Sequence, residues 1–156
     1  DMGEARFSTL HGRMMCRGEE LEYHSVTLGN PHCVTFGEVT PERAREFGPL
    51  IERDRRFPDR TNVQFAHVMG RTDLTIEIWE RGAGYTLASG SSACASAAVA
   101  RKLGLVDEEV TVRMRGGTLA ITVWGDDYQL RMCGPVVRVM EGRTDPEIFA
   151  GLEGST

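Results

Sequence analysis

The sequence predicts an α+β domain in which a mostly antiparallel sheet wraps around one buried central helix. The helix is predicted over Ala93–Leu103, where small residues are apolar on nearly every side and therefore require burial on all faces. The sheet is predicted by short runs of alternating apolar and polar residues, of which Asp73–Trp79 alternates most strictly. Alanine and serine let strands approach a helix from several sides, so both observations fit one architecture.

Other segments predict the remaining elements. Further strands are expected, in chain order, over Glu20–Leu28, Cys33–Phe36, Asn62–Met69, Glu109–Arg115, Thr118–Trp124, Tyr128–Cys133 and, as a last strand, Val136–Glu141. Gly116-Gly117 supplies a hairpin turn between two of them. A second helix is predicted to begin after Thr40, which can cap it ahead of Pro41, and to end near Phe47, because Gly48-Pro49 follows.

Length and composition fit a single domain of ordinary size. The 156 residues are 40% apolar and 26% charged with a net charge of −5, which is typical of globular proteins and leaves no basic run for nucleic acid. No apolar stretch approaches the roughly 20 residues of a membrane span. We therefore expect neither nucleic acid nor a membrane as partner. One domain is predicted over residues 1–142, followed by a polar tail over residues 143–156 that forms a short helix or is disordered.

The cysteines predict the compartment. Cys16, Cys33, Cys94 and Cys133 form no CxxC pair and have no metal-ligand spacing. We predict free thiols, no metal and, in the absence of a signal peptide, a cytoplasmic protein. The chain starts at Asp1 rather than at a methionine, so it is interpreted as part of a longer protein whose preceding domain is missing.

A loop rich in glycine and serine enters the predicted buried helix. Ser89-Gly90-Ser91-Ser92 directly precedes Ala93, so the unpaired N–H groups and the partial positive charge of a helix start belong to this loop. Because glycine lets a ligand approach the backbone closely, the loop suits a carboxylate or a phosphate. A serine N-cap without any ligand is the alternative.

Three further motifs carry polar groups. Glu80-Arg81 ends the clearest strand, and such a pair can hold the ammonium and carboxylate of an amino acid, a solvated surface pair being the alternative. Asn30-Pro31-His32 puts a histidine, which titrates near neutral pH, in an extended turn. Arg60-Thr61-Asn62 adds a second asparagine. Neither Asn30-Pro31-His32 nor Arg60-Thr61-Asn62 indicates a particular function by itself.

Taken in this order, the motifs Gly29–His32, Arg60–Phe65 and Trp79–Gly90 resemble those of the diaminopimelate epimerase family. The resemblance covers most of residues 1–142 and is most specific over Trp79–Gly90. It implies a cofactor-independent enzyme of two pseudo-symmetric halves, each a sheet around a central helix, with an amino acid as small-molecule substrate. The implied reaction converts LL- to meso-diaminopimelate in lysine biosynthesis. Two cysteines, one from each half, would face the α-carbon from opposite sides.

The resemblance also implies roles for single residues of this half of the site. The residues that would contact substrate are Asn30, Asn62, Glu80, Arg81, Gly90 and Ser91. Glu80 and Arg81 would hold the distal amino-acid head group or its neighbour, and the backbone N–H groups of Gly90 and Ser91 would bind the α-carboxylate. The catalytic residues would be Ser89, at the position of the family's second catalytic cysteine, and His32 beside it.

Ser89 is the departure from the family, because a hydroxyl is a far weaker acid than a thiol, whose pKa is about 8.5. Three explanations are open: an introduced Cys-to-Ser substitution, a natural relative with altered or lost chemistry, or replacement by Cys94, which is more typical of a packed core. The alternative functions are accordingly a same-fold isomerase or racemase of another substrate, and a non-catalytic paralogue that binds an amino acid.

The chain alone is expected to be inactive, because it holds only half of a two-base site. Its expected partner is the preceding domain of the same polypeptide. Apolar surface exposed without that domain would also allow a homodimer.

Overall fold

The structure, a computed structural model, describes residues 1–149, which form one ten-stranded sheet with two α-helices. The strands are β1 (Gly3–Glu4), β2 (Arg6–Cys16), β3 (Glu19–Thr27), β4 (Pro31–Phe36), β5 (Asn62–Gly70), β6 (Asp73–Glu80), β7 (Gly84–Thr86), β8 (Glu109–Met114), β9 (Gly117–Trp124) and β10 (Gln129–Cys133). The helices are α1 (Pro41–Glu52) and α2 (Gly90–Lys102). The strand order is β1-β10-β9-β8-β6-β5-β4-β3-β2, with β7 beside β6. Only the pairs β4–β5 and β6–β8 are parallel within this described sheet.

Helix α2 is the centre of the main core. Every residue from Ser92 to Ala100 is buried, and the helix touches β3, β4, β5, β6, β8, β9 and β10. Small side chains allow this because they keep the helix thin enough for the sheet to close around it at normal packing density. The predicted α+β class, a mostly antiparallel sheet around a buried helix, is confirmed.

Helix α1 closes a second core on the opposite face of the sheet. Cys33 and Val34 are adjacent on β4, but Cys33 packs with Phe47 and Ile51 of α1 whereas Val34 packs around α2. Successive side chains of a strand point to opposite faces, so the central strands are buried on both sides. Several polar residues of these strands are therefore buried as well, among them His32, Gln64 and Glu77.

The predicted end of the second helix is wrong. Helix α1 continues through Gly48-Pro49 to Glu52, although Pro49 has no N–H for the helical hydrogen bond. The continuation is stabilised by burial of Ile51 and by close packing at Gly48, where an added Cβ would lie 2.5 Å from the Cβ of Trp79. Tertiary packing here outweighs the local helix-breaking signal.

The ends of the chain also differ from the prediction. Strands β1, β2 and β7 were not expected from the pattern, whereas Val136–Glu141 is exposed and belongs to no strand. This segment has no partner strand among the described residues, and alternation alone cannot make a strand without one. A 3-10 turn follows at Pro146–Phe149. The rest of the predicted tail, residues 150–156, lies outside the described residues, and the boundary at residue 142 stays a prediction. Neither described α-helix is long and apolar enough to cross a membrane.

Candidate active site at the start of the buried helix

Helix α2 begins at the loop that the sequence predicts as a carboxylate site. Ser89 is the N-cap, with an extended backbone, and its Oγ accepts a hydrogen bond from the Ser92 N–H at 3.4 Å. No acidic residue occupies the first turn, so no side chain of that turn neutralises the partial positive charge there. The N–H groups of Gly90 and Ser91 precede the first intrahelical bond and can face an anion.

Two methionines that the sequence analysis did not single out pack against this loop. The Ser89 N–H donates to the Sδ of Met114 at 3.4 Å. A Cβ added to Gly90 would lie 2.8 Å from the Sδ of Met132, so this position accepts only glycine without a shift of that side chain. Met114 ends β8 and Met132 lies on β10, so these two strands hold the loop at the start of α2 in place.

A buried hydrogen-bond chain joins the Asn30–His32 turn to the start of α2. The ring of His32 is fully buried; its Nε2 lies 3.1 Å from Asn30 Oδ1 and its Nδ1 lies 3.1 Å from Gln64 Nε2. The Gln64 amide also donates to Ser92 Oγ at 3.0 Å. Gln64 was not predicted as a site residue, because a single polar residue within a strand gives no periodic or motif signal by itself.

Asn62 links the same turn to the Glu80-Arg81 loop. It faces His32 across the parallel pair of β4 and β5. Its Nδ2 donates to the Pro31 carbonyl at 2.9 Å, and its Oδ1 accepts from the Arg81 N–H at 3.0 Å. Both ends of the Asn62 amide are therefore fixed, and three of the predicted motifs are connected through one side chain.

Glu80 and Arg81 lie at the edge of this connected region. Glu80 is half-buried and accepts a hydrogen bond from Thr86 Oγ1 at 3.4 Å, and the exposed Arg81 donates from Nη1 to the Asp59 carbonyl at 2.9 Å. Neither side chain is in an ion pair with another of residues 1–149. Both charges thus remain available to a ligand, and the rest of the Arg81 fork suits a carboxylate.

The buried carboxylate of Glu52 holds the loop after β6 in place. Glu52, only 3% exposed, accepts from the Trp79 Nε1–H at 2.7 Å, from the Gly82 N–H at 3.0 Å and from Arg60 Nη1 at 3.3 Å. Gly82 has a φ of +78°, which glycine adopts at little cost. No sequence signal marked Glu52, because all three partners are distant in the chain.

Replacing Glu52 with glutamine should lower the free energy of unfolding by about 1–3 kcal/mol, since one amide nitrogen would then face a donor in a buried place. Urea unfolding of the 156-residue chain measures this. Glu46→Gln is the matched control on the same helix: Glu46 is exposed and pairs with the exposed Arg17, so its loss should cost about 0.5 kcal/mol or less. Equal effects of the two substitutions would contradict the anchoring role of Glu52.

Burial determines the protonation of the site. Burial lowers the pKa of His32 to about 4, and the nearby positive charge of Arg81 acts in the same direction. The imidazole is therefore neutral at pH 7. Burial raises the pKa of the Cys94 thiol to about 11, so Cys94 is a protonated, fully buried thiol at neutral pH and is not available as a base.

A second polar cluster lies at the opposite end of α2. His11, Glu22 and His24 bring three potential metal ligands close together, beside a cavity of about 530 Å³ that is also lined by Lys102. The His24 Nδ1 accepts the His11 backbone N–H at 3.3 Å, so neutral His24 carries its proton on Nε2, the nitrogen that faces Glu22. This nitrogen lacks a free lone pair for a metal while that bond is kept.

Comparison with known proteins supports the family to which the motifs point. A family described as Diaminopimelate epimerase matches residues 24–143. Diaminopimelate epimerase 2 of Nostoc sp. is 50% identical over 127 residues, which are 81% of this chain and 44% of the relative. The Diaminopimelate epimerase of Desulfitobacterium hafniense is 44% identical over 131 residues, which are 83% of this chain and 46% of the relative. The chain thus spans less than half the length of these relatives.

Solved structures agree on the fold. A hydroxyproline epimerase from Agrobacterium vitis superposes with a TM-score of 0.59 at 12% identity, over 83% of this chain and 46% of that one. A predicted epimerase from Pseudomonas aeruginosa gives 0.58 at 19% identity, over 85% and 52%. At these identities the likeness shows the fold alone. The match over residues 24–143, together with the two close relatives, identifies the chain as a member of the diaminopimelate epimerase family.

Proposed function

We propose that this chain supplies the C-terminal half of an epimerase site that converts LL- to meso-diaminopimelate without a cofactor. The observation that carries this proposal is the hydrogen-bond chain from Arg81 through Asn62 to the His32 turn, and from His32 through Gln64 to the start of α2. This chain of bonds connects four motifs that are far apart in sequence, one of which is the start of α2. The free thiols of the described residues fit a reducing compartment such as the cytoplasm.

The start of α2 is the proposed subsite for the α-carboxylate of the substrate. The N–H groups of Gly90 and Ser91 are positioned as donors, and the helix end adds positive potential. When the α-proton leaves, negative charge spreads from the α-carbon onto this carboxylate. Donors that are already oriented stabilise the developing charge without reorganisation, which is the main catalytic contribution of this half.

The proposed role of Glu80, Arg81, Asn30 and Asn62 is to hold the remainder of the substrate. Diaminopimelate carries an ammonium and a carboxylate at each end, so the distal end requires one negative and one positive partner. Glu80 and Arg81 have those charges and no ion-pair partner within residues 1–149. The bidentate geometry of arginine favours the carboxylate.

Proton transfer then uses one group on each face of the α-carbon. A thiolate of the preceding half takes the α-proton and becomes a thiol. The electron pair of the broken C–H bond passes into the enolate of the carboxylate. A group on the opposite face gives a proton back to the α-carbon, which inverts the centre. Ser89 is the proposed group on the face of this half, with His32 beside it as a neutral residue that orients its neighbours.

The proposed partner is the preceding half of the same polypeptide. The segment after β10 exposes apolar side chains that pack against no other described element: Val136, Val137, Val139 and Met140 are 95%, 78%, 93% and 84% exposed. Contiguous exposed apolar residues mark an interaction surface. We place the contact with the preceding domain there, and a homodimer of this chain would use the same surface if that domain were absent.

A second candidate function is amino-acid binding without epimerisation, or isomerisation of a different substrate. It is favoured by Ser89, whose Oγ already accepts the capping hydrogen bond from Ser92. A serine in that role is a good helix cap. It is a poor acid, because a hydroxyl holds its proton far more tightly than a thiol does.

The test uses heavy water and the longer protein, in which this chain follows its preceding domain. LL-diaminopimelate is incubated with the protein, and the α-proton is followed by NMR. Exchange with inversion supports the epimerase; exchange of other amino acids alone supports a different substrate; calorimetric binding without exchange supports the binding protein. An Arg81→Ala variant should weaken binding in every one of these cases, whereas Arg131→Ala, at an exposed site on β10, should not.

A further inference from the structure

Gln64 uses both of its N–H donors inside the buried chain. Its Nε2 lies 3.1 Å from His32 Nδ1 and 3.0 Å from Ser92 Oγ, and the residue is fully buried on β5. Its Oε1 is buried without a hydrogen-bond partner among the described residues. The opposite orientation of the amide would leave two N–H groups unpaired instead of one carbonyl oxygen. Unpaired buried N–H groups are the rarer and costlier case, so the observed orientation is favoured.

This orientation fixes the proton of His32. A nitrogen that accepts a hydrogen bond carries no proton, so neutral His32 holds its proton on Nε2. That proton points to Asn30 Oδ1, 3.1 Å away. The Oδ1 of Asn30 is thereby directed inward. Its Nδ2 has no hydrogen-bond partner within residues 1–149, and Asn30 as a whole is half-buried.

We infer that Gln64 is a positioning residue that selects the Nε2-protonated tautomer of His32 and, through it, turns the NH₂ group of Asn30 toward the substrate. The site then presents a donor at Asn30 and selects a ligand with an acceptor there, such as a carboxylate. The last step rests on the proposed function; the tautomer and the Asn30 orientation do not.

The arrangement couples specificity to a residue that is fully buried. Ser92 gives Gln64 its second acceptor, so the helix start and the Asn30 turn are held by one amide. An apolar residue at position 64 would leave His32 free to carry its proton on either nitrogen. Asn30 would then adopt both orientations, and the substrate would meet an oxygen in one of them.

The first experiment measures the tautomer directly in this chain. Nitrogen-15 NMR of the histidine rings at pH 7 should give His32 a protonated Nε2 and an unprotonated Nδ1. In Gln64→Met, which removes the donors and keeps the length of the side chain, His32 should become a mixture of tautomers. In Gln64→Glu, whose carboxylate only accepts, Nδ1 should gain a proton. Ser92→Ala is the matched control: it removes the other partner of the amide, so the tautomer should stay as in the unchanged chain.

The second experiment reads the consequence in the longer protein. Gln64→Met should raise KM for diaminopimelate about tenfold with a smaller change in kcat, as expected for partial loss of one hydrogen bond to a charged group. Asn30→Asp, which presents an oxygen to the substrate, should raise KM at least as much while the His32 tautomer stays unchanged.

A protonated Nδ1 in the unchanged chain, or the same tautomer in all three position-64 proteins, would overturn the inference whatever the activity. If Gln64→Met does not fold, as judged by circular dichroism, Gln64→Glu still decides. A correct tautomer together with no binding of diaminopimelate would count against the proposed function and leave the positioning role of Gln64 intact.

Discussion

Replacing Ser89 with cysteine is expected to raise epimerisation of LL-diaminopimelate by the longer protein about a hundredfold or more. Ser89 is the N-cap of α2, so a thiol placed there would lie at the positive end of the helix. Such an end stabilises a thiolate and lowers the pKa of the thiol from its usual value of about 8.5. The replacement would therefore act both as a base and as an acid near neutral pH, whereas a serine hydroxyl is a far weaker acid and stays un-ionised.

The same change is informative about stability. Cysteine is a weaker acceptor than serine, so the Ser92 N–H would lose part of its cap. We expect a loss of about 0.5–2 kcal/mol in the free energy of unfolding. A gain in activity together with a loss in stability would show that the residue at position 89 cannot be both the best helix cap and an effective acid.

Ser91→Cys is the matched control for Ser89→Cys. It brings the same thiol into the same helical turn, two residues further along, and should give no gain in turnover. The measurement is the rate of α-proton exchange in heavy water together with the appearance of the meso isomer. If Ser89→Cys folds and binds substrate but gives no gain, the loop has diverged from two-base chemistry, and amino-acid binding becomes the better assignment.

The parts of the fold that the sequence predicts are those with a local cause. Helix α2 is predicted by one continuous stretch of small apolar residues. Strand β6 is predicted by a strict alternation of apolar and polar residues. Residues of three family motifs lie close together in the fold: hydrogen bonds join Asn30 to His32, and Asn62 to the Pro31 carbonyl and the Arg81 backbone. The individual roles of these residues stay predictions.

The parts that escaped prediction depend on contacts between distant residues. The full length of α1 depends on Gly48 packing against Trp79, 31 positions away, which no window of local sequence contains. Glu52 and Gln64 matter because of the partners that the fold brings to them. The carboxylate has three donors, two from side chains and one from the backbone, and the amide has a histidine and a serine. A buried polar residue has no sequence signature until its partners are known.

Acidification from pH 7 to pH 4 is expected to lower the stability of the chain, with about 3 kcal/mol of the loss due to His32 alone. The pKa of His32 is near 6.5 in the unfolded chain and about 4 in the folded one, because burial penalises the charged ring. Between these values the unfolded state binds the proton and the folded state does not. The contribution of His32 is therefore complete above pH 6.5 and is lost as the pH falls toward 4.

His32→Gln isolates this contribution, since glutamine retains a donor and an acceptor but does not titrate in this range. Urea unfolding at pH 7 and pH 4 should show a pH-dependent loss that is smaller by about 3 kcal/mol in the variant. Burial also lowers the pKa of His24, and this lowers stability at acid pH in the unchanged chain and in His32→Gln alike. Only the difference between the two proteins therefore reports on His32. An unchanged pH-dependent loss in His32→Gln, or a folded-state titration of His32 near pH 6.5 by NMR, would contradict this prediction. Because protonation of Nδ1 removes the acceptor of the Gln64 hydrogen bond, the site would then contain a titrating acid in place of a fixed hydrogen-bond relay.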